Sequence, residues 1–251
     1  MLKGIDLSEY NQNLDYKALK QSGIEFAIIR CGYGKDAGQK DKLFETHYKG
    51  CKEAGIKVGA YHYSYCTSSE NALKEADNCL SYIKDKSFDL PIFYDLEENR
   101  IASLGKNTVN EIAVRFCKRI ESAGYRSGVY ANLNWFKNYI DPYVLIDNNI
   151  KIWLAQWNST MTATFKVDLW QFTNQLNVAG KNFDGDYLLN EDLLNNDPDN
   201  ETFDVNIDYS LAVSVIFGEY GNGQERKERL GSHYNAVQDI VNEIYKICRG
   251  E

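Results

Sequence analysis

Histidine is almost missing from this chain. Three residues (His47, His62 and His233) in 251 are too few and too scattered for a multi-histidine metal centre. The six cysteines, Cys31, Cys51, Cys66, Cys79, Cys117 and Cys248, form no CxxC or other metal-ligand spacing. Most of them lie in apolar strand or helix patterns, as buried reduced thiols do, so no metal and no cofactor is expected. No stretch is long and apolar enough to span a bilayer, which excludes membrane insertion. No basic stripe is available for a phosphate backbone, and the formal net charge is −8, which excludes nucleic acid as a partner. No Gly-rich phosphate loop follows the first strand-like run, so nucleotide binding has no support. Met1-Leu2-Lys3-Gly4-Ile5 runs straight into a strand without an apolar signal segment or cleavage site, which predicts a cytoplasmic protein.

Aromatic residues, by contrast, make up 13% of the chain, with 18 Tyr, 11 Phe and 4 Trp. Tyr supplies flat, amphipathic surface that can stack on sugar rings. Pro91-Ile92-Phe93-Tyr94-Asp95-Leu96-Glu97 is an apolar run ending in two carboxylates spaced i, i+2. On a strand those two side chains share a face. Neighbouring acids cannot both ionise comfortably, so one tends to hold a proton. A general acid beside an ionised carboxylate is the equipment for cutting a glycosidic bond.

Strand-like runs fall at 4–7, 26–31, 58–65, 90–96, 127–130, 152–156, 169–172 and around Phe183. Helix-period segments separate the earlier ones, at 14–22, 43–54, 71–84 and, after the cap candidate Thr108, 109–123. Gly23, Gly55 and Gly124 each follow a helix and precede a strand, the punctuation of βα units. An α/β fold is predicted, an irregular TIM-like (β/α) barrel with few helices in its second half. Working residues of such barrels stand at the carboxyl ends of strands. Asp6, Arg30, Tyr61, Tyr63, Asp95, Glu97, Tyr130, Gln156, Trp157, Gln171, Asp184 and Asp186 occupy those places. Several carboxylates and rings at one mouth suit a carbohydrate. His62, on an apolar strand, reads as a supporting residue, and Arg30 as a partner of one of the acids or of substrate.

From about Asn190 the chain turns acidic, and no Lys or Arg occurs between Lys181 and Arg226. Such a stretch repels itself and reads as a linker. Helical patterns follow at 209–217, 224–230 and 234–247, with Gly221 and Gly223 at a turn. The predicted organisation is a catalytic barrel over 1–190, an acidic linker over 191–207 and a three-helix domain over 208–251. Arg226 and Arg229 lie i, i+3 on one face and could grip a carboxylate.

At this point the residues resemble a known family. Gly4-Ile5-Asp6-Leu7-Ser8, Ala27-Ile28-Ile29-Arg30-Cys31-Gly32-Tyr33-Gly34, Ala54-Gly55-Ile56-Lys57-Val58-Gly59-Ala60-Tyr61-His62-Tyr63, Tyr94-Asp95-Leu96-Glu97 and Trp170-Gln171-Phe172-Thr173 resemble glycoside hydrolase family 25. These are the Chalaropsis-type lysozymes, N-acetylmuramidases common among phage endolysins. The tail, through Gly221-Asn222-Gly223-Gln224-Glu225-Arg226 and Tyr234-Asn235-Ala236-Val237-Gln238, is similar to the CW-seven wall-binding repeat.

The resemblance implies a peptidoglycan hydrolase cleaving the β-1,4 bond between N-acetylmuramic acid and N-acetylglucosamine with retained configuration. Glu97 matches the proton donor, expected to stand protonated among ionised Asp neighbours. Asp95 matches its partner, Asp6 the first-strand acid and Asp184 the last acid. Asp186 stands where the family has Asn, so either Asp184 or Asp186 faces the sugar. The nucleophile is either the substrate's acetamido oxygen or an Asp. Arg30, Tyr61, Tyr63, Tyr130, Trp157, Gln171 and Asp186 are expected against the glycan, and Arg226, Arg229 and Tyr234 against muropeptide. A phage endolysin would wait in the host cytoplasm and meet the cell wall after a holin opens the membrane. The rival readings are a catalytically dead wall-binding protein and a metal-dependent hydrolase built on the same acids.

Overall fold

The computed structural model describes residues 1–194, 211–212, 215–216, 218 and 220–249. The chain divides into two compact units, Met1–Asn195 and Asn196–Glu251. In the first, β1 (Leu2–Leu7), β2 (Phe26–Tyr33), β3 (Lys57–Tyr63), β4 (Ile92–Asp95), β5 (Ser127–Asn132), β6 (Lys151–Ala155), β7 (Leu169–Val178) and β8 (Lys181–Leu188) close a barrel in chain order. This is the α/β barrel expected, helices thinning towards its end. α1 (Tyr16–Gln21), α2 (Phe44–Glu53), α3 (Ser69–Ile83), α4 (Asn99–Ala102) and α5 (Lys106–Glu121) fall in the first part. Only the six-residue α6 (Leu133–Asn138) and α7 (Pro142–Asp147) separate later strands.

Local chemistry sets the helix ends. Asp15 and Ser68 cap α1 and α3 by accepting from the backbone N–H of Ala18 and Asn71. Gly23, Gly55 and Gly124 take φ of 88°, 72° and 85° past the helix ends, a region that disfavours a side chain. The cap candidate Thr108 instead lies inside the first turn of α5, which starts at Lys106 after Gly105.

Side chains alternate between two cores. Outward-facing Ile29, Val58 and Ala60 meet Ala72, Ala76 and Phe116 of the helix layer. Inward-facing Phe26, Ile28, Phe93, Trp153, Leu169 and Leu188 fill the bore. Gly4 leaves room for that packing, since a Cβ there would lie 2.4 Å from the Phe26 ring.

The last two strands depart from a regular βα barrel. β7 runs on to Val178, turns at Ala179 and Gly180 with φ of 49° and 77°, and returns directly as β8. Two positive φ angles make the tight turn of a hairpin. β8 therefore pairs antiparallel with both β7 and β1. Its early residues are at the mouth and its later ones are deep, the reverse of the parallel strands. The polar run Thr173-Asn174-Gln175 hides this extension from a periodicity reading.

Residues 191–194, expected to begin the linker, instead form a 3₁₀ turn whose Leu193 packs into the bore cluster. The rest of that expected linker lies outside the described residues. A chain ending after Leu194 is expected to keep the stability of the barrel. One ending after Asn190 is expected to lose roughly 1.5–3 kcal/mol through the missing Leu193, readable by urea unfolding of the two proteins.

In the second unit, α8 (Gln224–Leu230) and α9 (Tyr234–Arg249) are described. Ala212, Val215, Leu230, Val237 and Val241 form their shared core. Residues 209–210, 213–214 and 217 of the expected first helix lie outside the described residues.

Candidate active site

The carboxyl ends of β1 to β7 and the amino end of β8 surround a cleft of about 650 Å³. Asp6, Asp95, Glu97 and Asp184 all line it, with Arg30, Tyr61, Tyr63, Tyr130 and Gln171. Nine of the expected residues thus converge on one mouth. β4 itself ends at Asp95, but Leu96 N–H still donates to Tyr130 O at 3.0 Å. That bond carries the extended geometry to Glu97, one layer above Asp95.

Asp186 does not line the cleft. On an antiparallel strand the position two residues after Asp184 is deeper, and Asp186 is 0% exposed beneath the cleft floor. Its Oδ1 accepts from Trp153 Nε1 at 2.8 Å. Trp157 is not among the lining residues. It is 59% exposed beside the cleft, and its Nε1–H donates to Gln171 Oε1 at 2.9 Å.

Gln171 is a hub. Its Oε1 also accepts from Tyr130 OH at 3.1 Å, which orients the amide so that Nε2 donates to Asp6 Oδ2 at 2.8 Å. Arg30 is a strut, not a free cation. Its Nε donates to Asp41 Oδ2 at 2.7 Å and its Nη2 to Glu9 Oε1 at 3.0 Å. These bonds tie the loops after β1 and β2, through Glu9 and Asp41, to Arg30 of β2.

Sequence reading missed Glu9, Tyr10, Tyr33, Tyr65, Asn174 and Asn182 on the cleft wall. Glu9 and Tyr10 directly follow β1 and were available as strand-end residues. Asn174 and Asn182 sit on the hairpin, which no pattern announced. Tyr33, Tyr63 and Tyr65 make a cluster, with ring centroids 6.2 and 5.1 Å apart. Tyr10, 80% exposed, packs its ring 5.3 Å from the Arg30 guanidinium.

Electrostatically the mouth is a cluster of acids that all resist ionisation. Burial, then Asp184, pushes Asp6 up to about 8, against the Gln171 donor. Burial, Glu97 and Asp6 raise Asp95 well above the carboxylate range, with Arg30 opposing. Burial and Glu98 raise Glu97, partly offset by the Tyr63 hydroxyl. Burial raises Asp184. The expectation is one protonated Glu among ionised Asp residues; burial and mutual repulsion push all four of these acids towards their neutral forms.

The tyrosine wall has its own support. Glu75 of α3 is fully buried. Its Oε2 accepts from Tyr94 OH at 2.7 Å and its Oε1 from Tyr65 N at 3.0 Å. Glu75→Ala is expected to cost ~2–4 kcal/mol by stranding both donors, measured as a lower thermal midpoint of the barrel.

Among the described residues, one group of three potential metal ligands comes together: Cys31, His62 and Cys79, with ligating atoms within 4.8 Å of one another. It faces the helix layer, not the cleft. His62 Nε2–H donates to Gly34 O at 2.9 Å, leaving Nδ1 to accept 4.0 Å from the Cys31 sulfur. The two sulfurs are 3.5 Å apart. Three donors leave a tetrahedral ion one short, and thiol-to-imidazole and thiol-to-thiol contacts satisfy the group as it stands. Cys31, Cys51, Cys66, Cys79 and Cys117 are free and buried. No helix among the described residues is long and apolar enough to cross a membrane.

In the second unit Arg226 is occupied. Its Nη2 donates to Gly221 O and Asn222 Oδ1, each at 2.9 Å, and its Nη1 to Gln238 Oε1 at 3.1 Å. It braces the turn and has little left for a ligand. Arg229 is half-exposed beside Glu225 and over the Tyr220 ring, while Tyr234 packs under Lys227.

Comparison with known proteins gives a consistent picture. The family described as Glycosyl hydrolases family 25 matches residues 5–181, and the CW_7 repeat matches residues 210–245. An autolytic lysozyme of Clostridium acetobutylicum is 26% identical over 156 residues, covering 62% of this chain and 45% of that protein. The lysozyme of Streptococcus phage Cp-7 is 28% identical over 204 residues, covering 74% of this chain and 55% of that protein. The chain thus spans about half the length of these curated relatives. Among solved structures, the CTP1L endolysin superposes with a TM-score of 0.68 at 24% identity, over 78% of this chain and 71% of that one. A family 25 glycosyl hydrolase from Bacillus anthracis gives 0.66 at 22% identity, over 78% and 93%.

Proposed function

The chain belongs to glycosyl hydrolases family 25, and from that membership we propose that it is a peptidoglycan hydrolase. The bond cut is the β-1,4 linkage from N-acetylmuramic acid to N-acetylglucosamine. One observation carries this reading: Asp6, Asp95, Glu97 and Asp184 line a single cleft walled by tyrosines. Relatives named lysozyme, from a bacterium and a phage, support it.

Glu97 donates the proton that the leaving glycosidic oxygen needs, because burial and Glu98 raise its pKa and favour the protonated acid. Asp184, the more open acid of its strand, stabilises the positive charge that grows on the ring. Asp95 is only 5% exposed and its Oδ1 has no partner among the described residues. A sheltered oxygen of this kind suits holding the substrate's acetamido N–H better than attacking a ring carbon. The acetamido oxygen then acts as nucleophile, and two displacements retain the configuration. Tyr61, Tyr63, Tyr130 and Gln171 position the sugars from the walls.

The CW_7 match supports wall binding by the tail, through Arg229 and Tyr234, as a module separate from a catalytic domain ending near residue 194. Peptidoglycan is the partner of both modules. Passage across the membrane would fall to a separate pore-forming protein.

Mass spectrometry of digested cell walls tests the activity. New muramic acid reducing ends are expected; glucosamine ends, or free peptide stems, would replace this reading with another hydrolase. Digestion that stops in EDTA would favour a metal-dependent enzyme. Binding without any release would make the chain a wall-binding protein.

A further inference from the structure

Below the acids of the cleft is one that the reaction as described does not use. Asp186 is 0% exposed. Its Oδ1 is engaged by Trp153 of β6, and its Oδ2 has no hydrogen-bond partner among the described residues. The antiparallel register sets Asp186 opposite Gly4 and Asp184 opposite Asp6. Asp186 and Asp6 are therefore diagonal neighbours on the inner face of adjacent strands, and the Asp6 carboxyl acts on Asp186. The groups acting on Asp186 are Asp6 from β1, Asp184 from its own strand and the Trp153 N–H from β6. None of the three is a cation. Arg30, the cation lining the cleft, is held by Asp41 and Glu9.

Two carboxyl oxygens that face each other without a donor repel unless one of them carries a proton. On Asp6 the other oxygen, Oδ2, is already committed to the Gln171 N–H. That amide cannot flip, because Tyr130 and Trp157 both donate to its oxygen. Gln171 thus favours the charged form of Asp6 from one side. The proton shared by the pair belongs on the more deeply buried partner. Burial, followed by Asp6, holds Asp186 well above the ordinary carboxylate range.

We propose that Asp186 is a positioning residue, a neutral carboxylic acid whose Oδ2 hydroxyl donates to Asp6 and fixes where that carboxyl group points into the cleft. No bond to substrate is involved; the proton stays within the pair. Asp6 is then held by two donors, Gln171 from β7 and Asp186 from β8. The proposal rests on the hydrolase reading for its functional consequence, though not for the protonation itself.

The test has two arms on the full chain. In the first, aspartate labelled with ¹³C at the side-chain carboxyl is followed by NMR through a pH titration. Asp186, assigned by the signal lost in Asp186→Asn, is expected to stay in the protonated range at pH 7. An Asp186 carboxyl that is ionised at pH 7 overturns the proposal. This arm needs no turnover, so it stands even where wall digests yield no muramic acid ends and the hydrolase reading fails.

The second arm compares Asp186→Asn with Asp186→Leu. The amide can still accept from Trp153 and donate to Asp6, whereas leucine strands both. Asp186→Asn is expected to retain at least about tenfold more kcat than Asp186→Leu, with KM little changed between them. Equal kcat in the two variants overturns the positioning role. Should Asp186→Leu fail to fold, the NMR arm decides alone.

Discussion

Glu97→Gln is expected to fold and bind walls as the parent does while losing at least about a hundredfold in kcat, within the ~10²–10⁴ range for a general acid. Glutamine keeps the size and hydrogen-bonding reach of the side chain. It cannot deliver a proton to the leaving oxygen. The loss should appear in kcat with KM nearly unchanged, because the missing contact forms at the transition state. A synthetic substrate with an acidic phenol as leaving group needs less protonation, and should recover most of the rate. A variant within threefold of the parent on cell walls would remove Glu97 from this role.

A second large effect concerns pH and stability. Asp6, Asp95, Glu97, Asp184 and Asp186 all hold their protons more tightly in the folded protein than their ordinary values of 3.8 or 4.5. Above those values the unfolded chain releases protons that the folded one keeps. The folded state then binds more protons, and stability falls as pH rises through the window from about 4 to about 8. Below the ordinary values both states are protonated and the burden disappears. Asp89 acts in the opposite sense: although burial pushes it up, Lys52 and the Val58 N–H pull it lower overall. Its contribution is lost in stronger acid, which places the optimum near pH 4–5.

Allowing for screening at the open mouth, the barrel is expected to lose on the order of 3 kcal/mol from pH 5 to pH 8. That corresponds to a fall of roughly 6–12 °C in its thermal midpoint. Calorimetry at the two pH values reads it directly. Asp95→Asn should flatten the slope and raise the midpoint at pH 8 while costing activity, because a site of like acids is destabilising in its resting state. A midpoint that climbs from pH 5 to pH 8 would contradict the protonation pattern.

How far the site could be read without coordinates varies from residue to residue. Asp95 and Glu97 were legible because an i, i+2 pair at a parallel strand end needs only local geometry to share a face. Asp6, Arg30 and Tyr61 were legible for the same reason: in a βα barrel every parallel strand points its carboxyl end at one mouth. Arg30 is nevertheless a strut between Glu9 and Asp41, partners that a linear pattern cannot pair with it. Trp157 was placed against the glycan by its position after β6, yet it spends its indole N–H on Gln171. Arg226 looked like a ligand grip from its spacing to Arg229, but the turn at Gly221 claims it.

The periodicity of strands and helices, the glycine stops and the acid pair were enough to specify an α/β barrel and a cleft of carboxylates, because each depends on contacts a few residues long. Strand direction at the closing seam was beyond them. Whether β8 runs up or down depends on a two-residue turn at Ala179 and Gly180 and on hydrogen bonds to β1 from the far end of the chain. That direction decides that Asp184 meets the cleft and Asp186 lies sealed below it. The pKa shifts of the whole cluster follow from the same closure, since desolvation and mutual repulsion on this scale arise only when acids from β1, β4 and β8 are brought together.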